Sequence, residues 1–442
     1  MPDVRISSGS AHAYSSFSHI DMTKKASYIT LGCKLNYAET STYERGFMKE
    51  GYESVPWSEK ADLYIINTCS VTEHADRKSR NIIRKIHRIA PDATVIVTGC
   101  YAQLKRAEVE SLEGVSLVFG ANEKGSLVKT TLEFINGRNV IRGNADVNDA
   151  VTFAAYSSGE ERTRYFLKVQ DGCDNFCAYC TVPFARGRSR SISIAEAVEE
   201  AKRIAASGVR EIVLTGVNTG DFGRKSGESF LDLLKALNEV EGIERYRISS
   251  IEPNLLTDEI VDWIASGTKF QPHFHIPLQT GADSQLEAMG RHYDTAFFRG
   301  RIDYIRSRME APGRPKVFFG IDVMVGLPGE SEELFMQTKE FIESIKPAFI
   351  HVFPYSKRPG TPAASMPGQV SEEEKKSRVA VLEELCTRLH EEFVEENRGV
   401  AEKVLFESAC KDGMMEGYTG NYIRVRRPYD KSLVNTIVDI TL

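Results

Sequence analysis

Gly172-Cys173-Asp174-Asn175-Phe176-Cys177-Ala178-Tyr179-Cys180 is the stretch on which the architecture turns. It spaces three cysteines as C-x3-C-x2-C, directly after the apolar and aromatic run Tyr165 to Val169. Three thiolates on one tight loop suit a [4Fe-4S] cluster in which three irons take protein sulfur and the fourth stays open. A four-cysteine zinc site would need another close ligand, and none follows within the loop. Three buried or free cysteines by coincidence are the remaining alternative.

Working outward, the run before the loop is the first of six candidate strands, each followed by a helix or loop: Tyr165 to Val169, Glu211 to Thr215, Tyr246 to Ser250, His273 to Leu278, Val317 to Val325 and Phe349 to Phe353. Six βα units over residues 164–398 predict an incomplete (β/α)6 barrel. Its last helix runs from Glu372 to Asn397, with Leu382, Leu385, Leu389 and Phe393 on one face. Upstream, Tyr28 to Leu31, Leu63 to Ile66, Thr94 to Val97 and Ser116 to Phe119 alternate with helical stretches at Tyr37 to Glu50 and Glu73 to Ile89, the second stopped by Pro91. Residues 22–138 therefore read as an open parallel-sheet α/β domain, and the fold class is α/β. The polar segment 139–163 fits a linker with room for one strand. Beyond Gly399, the alternating runs Lys403 to Glu407, Gly417 to Arg427 and Val434 to Leu442 predict a small all-β module over 399–442.

The chain's 442 residues fit two or three domains, and 41% hydrophobic with 27% charged residues is an ordinary globular mixture. The longest apolar runs, such as Val323 to Leu327, fall far short of the ~20 residues that span a bilayer, so no membrane association is expected. A formal charge of −6 gives no global field for nucleic acid, so any RNA contact must come from local patches. Residues 1–21, rich in Ser and His, lack a cationic start and an apolar core and read as a disordered leader rather than a secretory signal. Eight cysteines in an unexported, cytoplasmic chain point to metal or redox chemistry before disulfides.

Cys33, Cys69 and Cys100 are far apart in sequence, and a lone cysteine is commonly a small buried hydrophobe. Each nevertheless follows a predicted strand by one to three residues, and parallel strands bring their carboxyl ends to one rim. The three can converge there and again leave a fourth iron site open. Cys386 and Cys410 read as packing residues, one beside the helix's leucines and one at a strand end.

C-x3-C-x2-C with Tyr179 before the last cysteine is the signature of radical S-adenosylmethionine (SAM) enzymes. With an N-terminal domain carrying three separated cysteines and a terminal β module, the chain resembles the radical SAM methylthiotransferases over about residues 22–442. Gly32-Cys33-Lys34-Leu35-Asn36 with Glu39, Asn67-Thr68-Cys69-Ser70-Val71-Thr72 and Gln170-Asp171-Gly172-Cys173 resemble the branch acting on N6-threonylcarbamoyladenosine beside the tRNA anticodon. Glu39-Thr40 departs from the Asp-Ser of the isopentenyladenosine and ribosomal-protein branches.

The resemblance implies an enzyme that transfers a sulfur-containing group: two [4Fe-4S] clusters, on Cys33, Cys69 and Cys100 and on Cys173, Cys177 and Cys180, with SAM as methyl donor and radical source. A first SAM methylates a sulfur at the N-terminal cluster. A second, at the barrel cluster, yields the adenosyl radical that lets C2–H of the adenine at position 37 become C2–SCH3. It implies three partners: a tRNA anticodon stem-loop, an electron donor such as flavodoxin or ferredoxin, and a sulfur source. Tyr179, Gly216, Asn218, Ser250, Glu252, Gln279, Asp322 and Gly326, at ends of barrel strands, are the expected SAM or base contacts, with ordinary turn and cap roles as the alternative. Expected RNA contacts are Arg77 and Lys78 in a basic helix, Arg188 and Arg190 after the cluster loop, and Tyr422, Arg424, Arg426 and Arg427 in the β module. The rival readings are a ribosomal-protein aspartate methylthiotransferase, an isopentenyladenosine tRNA methylthiotransferase, and an RNA-binding module with structural metal.

Overall fold

Buried β-branched runs separated by amphipathic helices have few ways to hide both sheet faces, and the computed structural model takes the expected one. It describes residues 24–140, 147, 152–157 and 163–442. The expected leader (1–21) and parts of the 139–163 linker lie outside them.

The N-terminal domain comprises β1 (Lys25–Thr30), α1 (Lys34–Lys49), β2 (Glu53–Ser54), β3 (Leu63–Thr68), α2 (Glu73–Ile89), β4 (Thr94–Gly99), α3 (Cys100–Leu104), α4 (Arg106–Glu110), β5 (Leu117–Phe119) and α5 (Leu127–Ile135). The strands form one parallel sheet in the order β2-β1-β3-β4-β5, and Leu63 to Ile66 are wholly buried. Thr72 caps α2, accepting from Ala75 N–H at 3.2 Å.

The central domain contains β6 (Ala155–Tyr156), β7 (Arg164–Lys168), β8 (Gln170–Asp171), α6 (Val182–Arg186), β9 (Arg190–Ser191), α7 (Ile194–Ala206), β10 (Glu211–Thr215), α8 (Phe230–Asn238), β11 (Arg245–Ile248), α9 (Asp258–Ala265) and β12 (His273–His275). It continues with α10 (Asp283–Ala288), α11 (Thr295–Met309), β13 (Phe318–Val325), α12 (Glu332–Ile345), β14 (Phe349–Pro354) and α13 (Glu372–Glu396). Parallel pairing runs β7-β10-β11 and β12-β13-β14, and the two halves meet at the bridges Tyr246↔Phe270 and Ser250↔His275. The six expected strands are all present, and β6 occupies the linker as an antiparallel edge strand on β7. Helix α13 opens on a Ser371/Glu374 capping box and buries Leu382, Leu385, Cys386, Leu389 and Phe393.

The C-terminal sheet, β15 (Ala401–Lys411), β16 (Met414–Tyr418), β17 (Arg424–Pro428) and β18 (Ile437–Thr441), is antiparallel in the order β17-β16-β15-β18. The expected run Gly417 to Arg427 is two strands. Thr419-Gly420-Asn421 turns the chain, Tyr422 takes φ +67°, and Thr419 Oγ1 accepts from Ile423 N–H at 2.8 Å. Cys386 packs as expected, whereas Cys410 is exposed, because β15 continues past a register shift at Phe406/Cys410 into a protruding hairpin. No helix among the described residues is long and apolar enough to cross a membrane.

Candidate functional site

Carboxyl ends of parallel strands gather loops at one rim, and the N-terminal domain places three cysteines on such loops. Cys33 is the N-cap of α1, Cys69 follows β3, and Cys100 opens α3 directly after β4. They converge: a Cβ added to Gly32 would lie 2.7 Å from Cys69 Cβ and 3.0 Å from its sulfur. Burial pushes the Cys69 thiol up to about 12, with Cys100 and Cys33 adding to the rise, and burial also raises Cys100.

The loop after β8 carries the second set. Its turn depends on Gly172, at φ +72°, where a Cβ would stand 2.1 Å from the Arg188 carbonyl oxygen. Burial pushes Cys173 up to about 11 and Cys180 up to about 12, and Cys177 adds to both. Val182 N–H points at Cys180 Sγ at 3.4 Å, and Arg291 donates to Cys177 Sγ at 3.1 Å. At Cys69, Cys100, Cys173 and Cys180 burial and neighbouring sulfurs oppose thiolate formation, and an iron cluster would supply the positive charge that offsets them. The donor sets therefore fit two [4Fe-4S] clusters.

Arg291 has no counterpart among the expected site residues. It pairs with Glu252 at 2.5 Å and reaches the Tyr179 hydroxyl at 3.4 Å, tying the end of the third barrel strand to the cysteine loop. Asn218 accepts from Glu252 N–H at 3.2 Å, and the Ser250 carbonyl accepts from Thr219. Glu252, Asn218, Ser250 and Tyr179 are thus brought to one side of the loop. The tight approach at Gly216 is made by Gln170, whose Oε1 would lie 2.8 Å from an added Cβ and accepts from Val217 and Asn218 N–H. At Gly326 the space a Cβ would take is filled by Lys375 methylenes, so neither glycine is small to admit a ligand. Gln279 adopts φ +71° and is hydrogen-bonded through its backbone to Asp322 and Met324. The Asp322 carboxylate faces elsewhere, bonded to His275 Nε2 at 2.9 Å and grouped with His351.

Between the two cysteine sets lies a buried charge network. Glu39 accepts from Lys124 (2.8 Å), Lys168 (2.8 Å) and Arg186 (3.3 Å), and Asp171 from Lys168 and Arg186, both at 2.8 Å. Those cations hold the Glu39 carboxyl far below the usual range despite its burial. Arg186 also bonds Asn36, on the first turn after Cys33. A second tie joins Arg358 to Ser70 (2.7 Å) and Asp76 (2.8 Å), next to Cys69.

A cavity of about 1320 Å³ opens beside α1, walled by Lys34, Arg164, Phe166, Arg247, His273, His275, Phe318, Phe349, His351, Tyr418, Tyr422 and Arg424 among others. Imidazoles and rings line it in layers: His275 stacks on His351 (5.1 Å) and His273 on Phe318 (5.0 Å). Of the expected RNA contacts, Arg77 and Lys78 are exposed on α2, and Arg188 is exposed over the Phe176 ring. Arg190 points inward to Asp171 at 3.3 Å, with its Nη1 on two backbone carbonyls, because Asp171 needs cations on both sides. Tyr422 is a cavity wall, whereas Arg424 and Arg426 are exposed near Glu416 and Arg427 covers the Phe406 ring.

Residues 25–120 match the profile described as Uncharacterized protein family UPF0004, and residues 167–342 that of the Radical SAM superfamily. Among solved structures, the radical SAM methyltransferase TsrM from Kitasatospora setae aligns with TM-score 0.55 at 15% identity, over 78% of this chain and 77% of its own, a likeness of fold. The Threonylcarbamoyladenosine tRNA methylthiotransferase MtaB of Bacillus subtilis (strain 168) is 38% identical over 93% of this chain and 92% of its own. The Aquifex aeolicus (strain VF5) protein of that name is 37% identical over 91% and 96%. A tRNA-2-methylthio-N(6)-dimethylallyladenosine synthase from Carboxydothermus hydrogenoformans is 32% identical over 88% and 90%. Such identity, running through both cysteine-bearing domains and into the β module, admits one assignment: the chain belongs to the radical SAM methylthiotransferase family.

Proposed function

We propose that this protein methylthiolates C2 of N6-threonylcarbamoyladenosine at position 37 of tRNA, in the cytoplasm, drawing electrons from a flavodoxin- or ferredoxin-type donor and sulfur from a separate source. The observation that carries the reading is the pair of converging cysteine triads, held together by one buried charge network, in a chain whose more identical relatives bear the threonylcarbamoyladenosine name. When bound, the clusters and SAM supply sulfur methylation at the N-terminal triad and one-electron cleavage of SAM at the barrel triad. The chain's own residues do the rest. Cys33, Cys69 and Cys100 hold one cluster, and Cys173, Cys177 and Cys180 the other. Arg291 neutralises Glu252 and fixes Cys177, so the SAM-facing loop is ordered before substrate arrives. Arg186 and Glu39 hold the two domains in one register, and the aromatic wall of the cavity offers faces on which an unstacked base can lie. The exposed arginines of β17 would meet phosphates.

The test is nucleoside mass spectrometry on tRNA incubated with reconstituted, reduced protein and SAM, using substrates with threonylcarbamoyl or isopentenyl adenosine. A methylthio gain on the threonylcarbamoyl nucleoside alone is expected; gain on the isopentenyl nucleoside alone would sink the reading. Cys69→Ala should still make 5′-deoxyadenosine while losing methylthiolation, whereas Cys173→Ala should lose both. Equal loss of 5′-deoxyadenosine in the two variants would count against two roles.

A further inference from the structure

The cavity beside α1 is rich in cations, and nearly all of them are already neutralised. Arg164 is held by Glu407 (3.0 and 2.6 Å) and by the Tyr422 hydroxyl (2.6 Å). Arg247 gives its protons to Glu211 (2.8 Å), Gly420 O (2.7 Å) and Thr419 O (2.8 Å). Arg424 lies 3.6 Å from Glu416, and His275 is bonded to Asp322. The anions are likewise engaged, Glu44 accepting from Ser54 at 2.5 Å. Lys34 is the exception: its ammonium makes no hydrogen bond or ion pair with any described residue, and its ring contact is Phe166 at 5.9 Å. It stands on the first turn of α1, one residue after Cys33, and so joins the cavity wall to the N-terminal triad in sequence.

The Lys34 ammonium is exposed to the water that fills the open cavity, so an apolar guest that displaced this water would leave the cation unpaired and be rejected. The two adenosine substituents used by this family differ in that respect, since threonylcarbamoyl ends in a carboxylate and isopentenyl is pure hydrocarbon. We propose that Lys34 binds the carboxylate of the threonylcarbamoyl group and so determines which N6-substituted adenosine this enzyme accepts. The inference rests on the substrate reading above and adds the residue that enforces it. With the carboxylate on Lys34, the stacked His275 and His351 rings, which line the same cavity and have Asp322 bonded behind His275, give polar edges for the threonyl hydroxyl and the urea. An isopentenyl group would meet the same ammonium with nothing to offer it.

The experiment compares the reconstituted holoenzyme with Lys34→Met and Lys34→Arg on anticodon stem-loops carrying threonylcarbamoyl adenosine, its carboxamide analogue, or isopentenyl adenosine. Binding is read by fluorescence anisotropy, turnover as KM and kcat, and iron content per chain for each protein. Lys34→Met should weaken binding and raise KM for the carboxylate substrate by about 10- to 100-fold, the range of a charge-assisted contact, while Lys34→Arg keeps most of the affinity. Wild type should penalise the carboxamide by a similar factor, and Lys34→Met should not distinguish carboxamide from carboxylate. Wild-type protein that binds and turns over the carboxamide as well as the acid would overturn the inference even if the variants lost iron. So would undiminished discrimination in Lys34→Met. Wild-type protein active only on the isopentenyl stem-loop would instead remove the substrate reading on which it rests, and the inference with it.

Discussion

Glu39 shows why single residues here cannot be judged by their local sequence. Its carboxylate balances cations from the 3₁₀ turn before α5, from β7 and from α6, 85, 129 and 147 positions away. The motif around Cys33 marks Glu39 as distinctive, but nothing local in it says what the residue touches. Glu39→Ala leaves Lys124, Lys168 and Arg186 buried with Asp171 as their main anion, and should cost about 3–5 kcal/mol of stability in denaturant titration of the apoprotein. An unchanged midpoint would mean that the network relaxes by admitting water. His273 gives the molecule a pH dependence of definite sign. Burial, then Arg247, Lys34 and His275, hold its pKa well below the ordinary value, between the Phe318 and Tyr422 rings. The unfolded chain takes up a proton near pH ~6.5 that the folded chain refuses, so stability falls as pH drops below that value. The urea midpoint should decline from pH 7 to 5 in the wild type and less steeply in His273→Phe. Arg291 went unassigned in the sequence for the same reason as the partners of Glu39, since charge pairing across the fold leaves no periodic trace; Lys34 did because a cation without a partner leaves none either.

Among the elements, those legible in advance were the ones whose signal is local. All six barrel strands, α2 with its Pro91 stop, and the buried face of α13 follow from periodicity and caps. The barrel cysteine loop was legible because its C-x3-C-x2-C spacing is itself a local pattern, and Cys33, Cys69 and Cys100 because each follows a strand of one parallel sheet. The β16–β17 turn was not, since Arg and Tyr on both sides continue the strand texture through Thr419-Gly420-Asn421. The cysteine loop after β8 makes the sharpest prediction at this scale. Gly172→Ala would force a methyl into the Arg188 carbonyl, and the chain on either side is fixed by Asp171 and Cys173 N–H bonded to Gly187 O. Iron per chain after reconstitution should fall by about half, with 5′-deoxyadenosine formation lost and the N-terminal cluster retained, because the disturbance is confined to one ligand loop. Full iron loading would show that the loop can open.

At the scale of the molecule, the β module is fastened to the barrel as well as appended to it. Arg245 and Arg247 of β11 leave the barrel to bond the carbonyls of Tyr418, Lys403, Gly420 and Thr419, while Asn421 reaches the Lys316 carbonyl at 3.0 Å. Wild-type protein should therefore resist release of residues 399–442 in limited proteolysis, and Arg247→Ala should free that fragment early. Equal cleavage kinetics would mean that the apolar contact of Ile423 with Phe318 and Phe393 suffices. The hairpin that β15 and β16 push beyond this seam carries Cys410, exposed and paired across to Met415, which is itself paired to Arg427. If the six triad cysteines hold iron as proposed, then with Cys386 buried Cys410 is the thiol left for bioconjugation in the reconstituted protein: a maleimide dye there would sit two strands from a basic face and brighten or dim as a polyanion arrives, whereas in the apoprotein the exposed Cys33 would compete for the reagent.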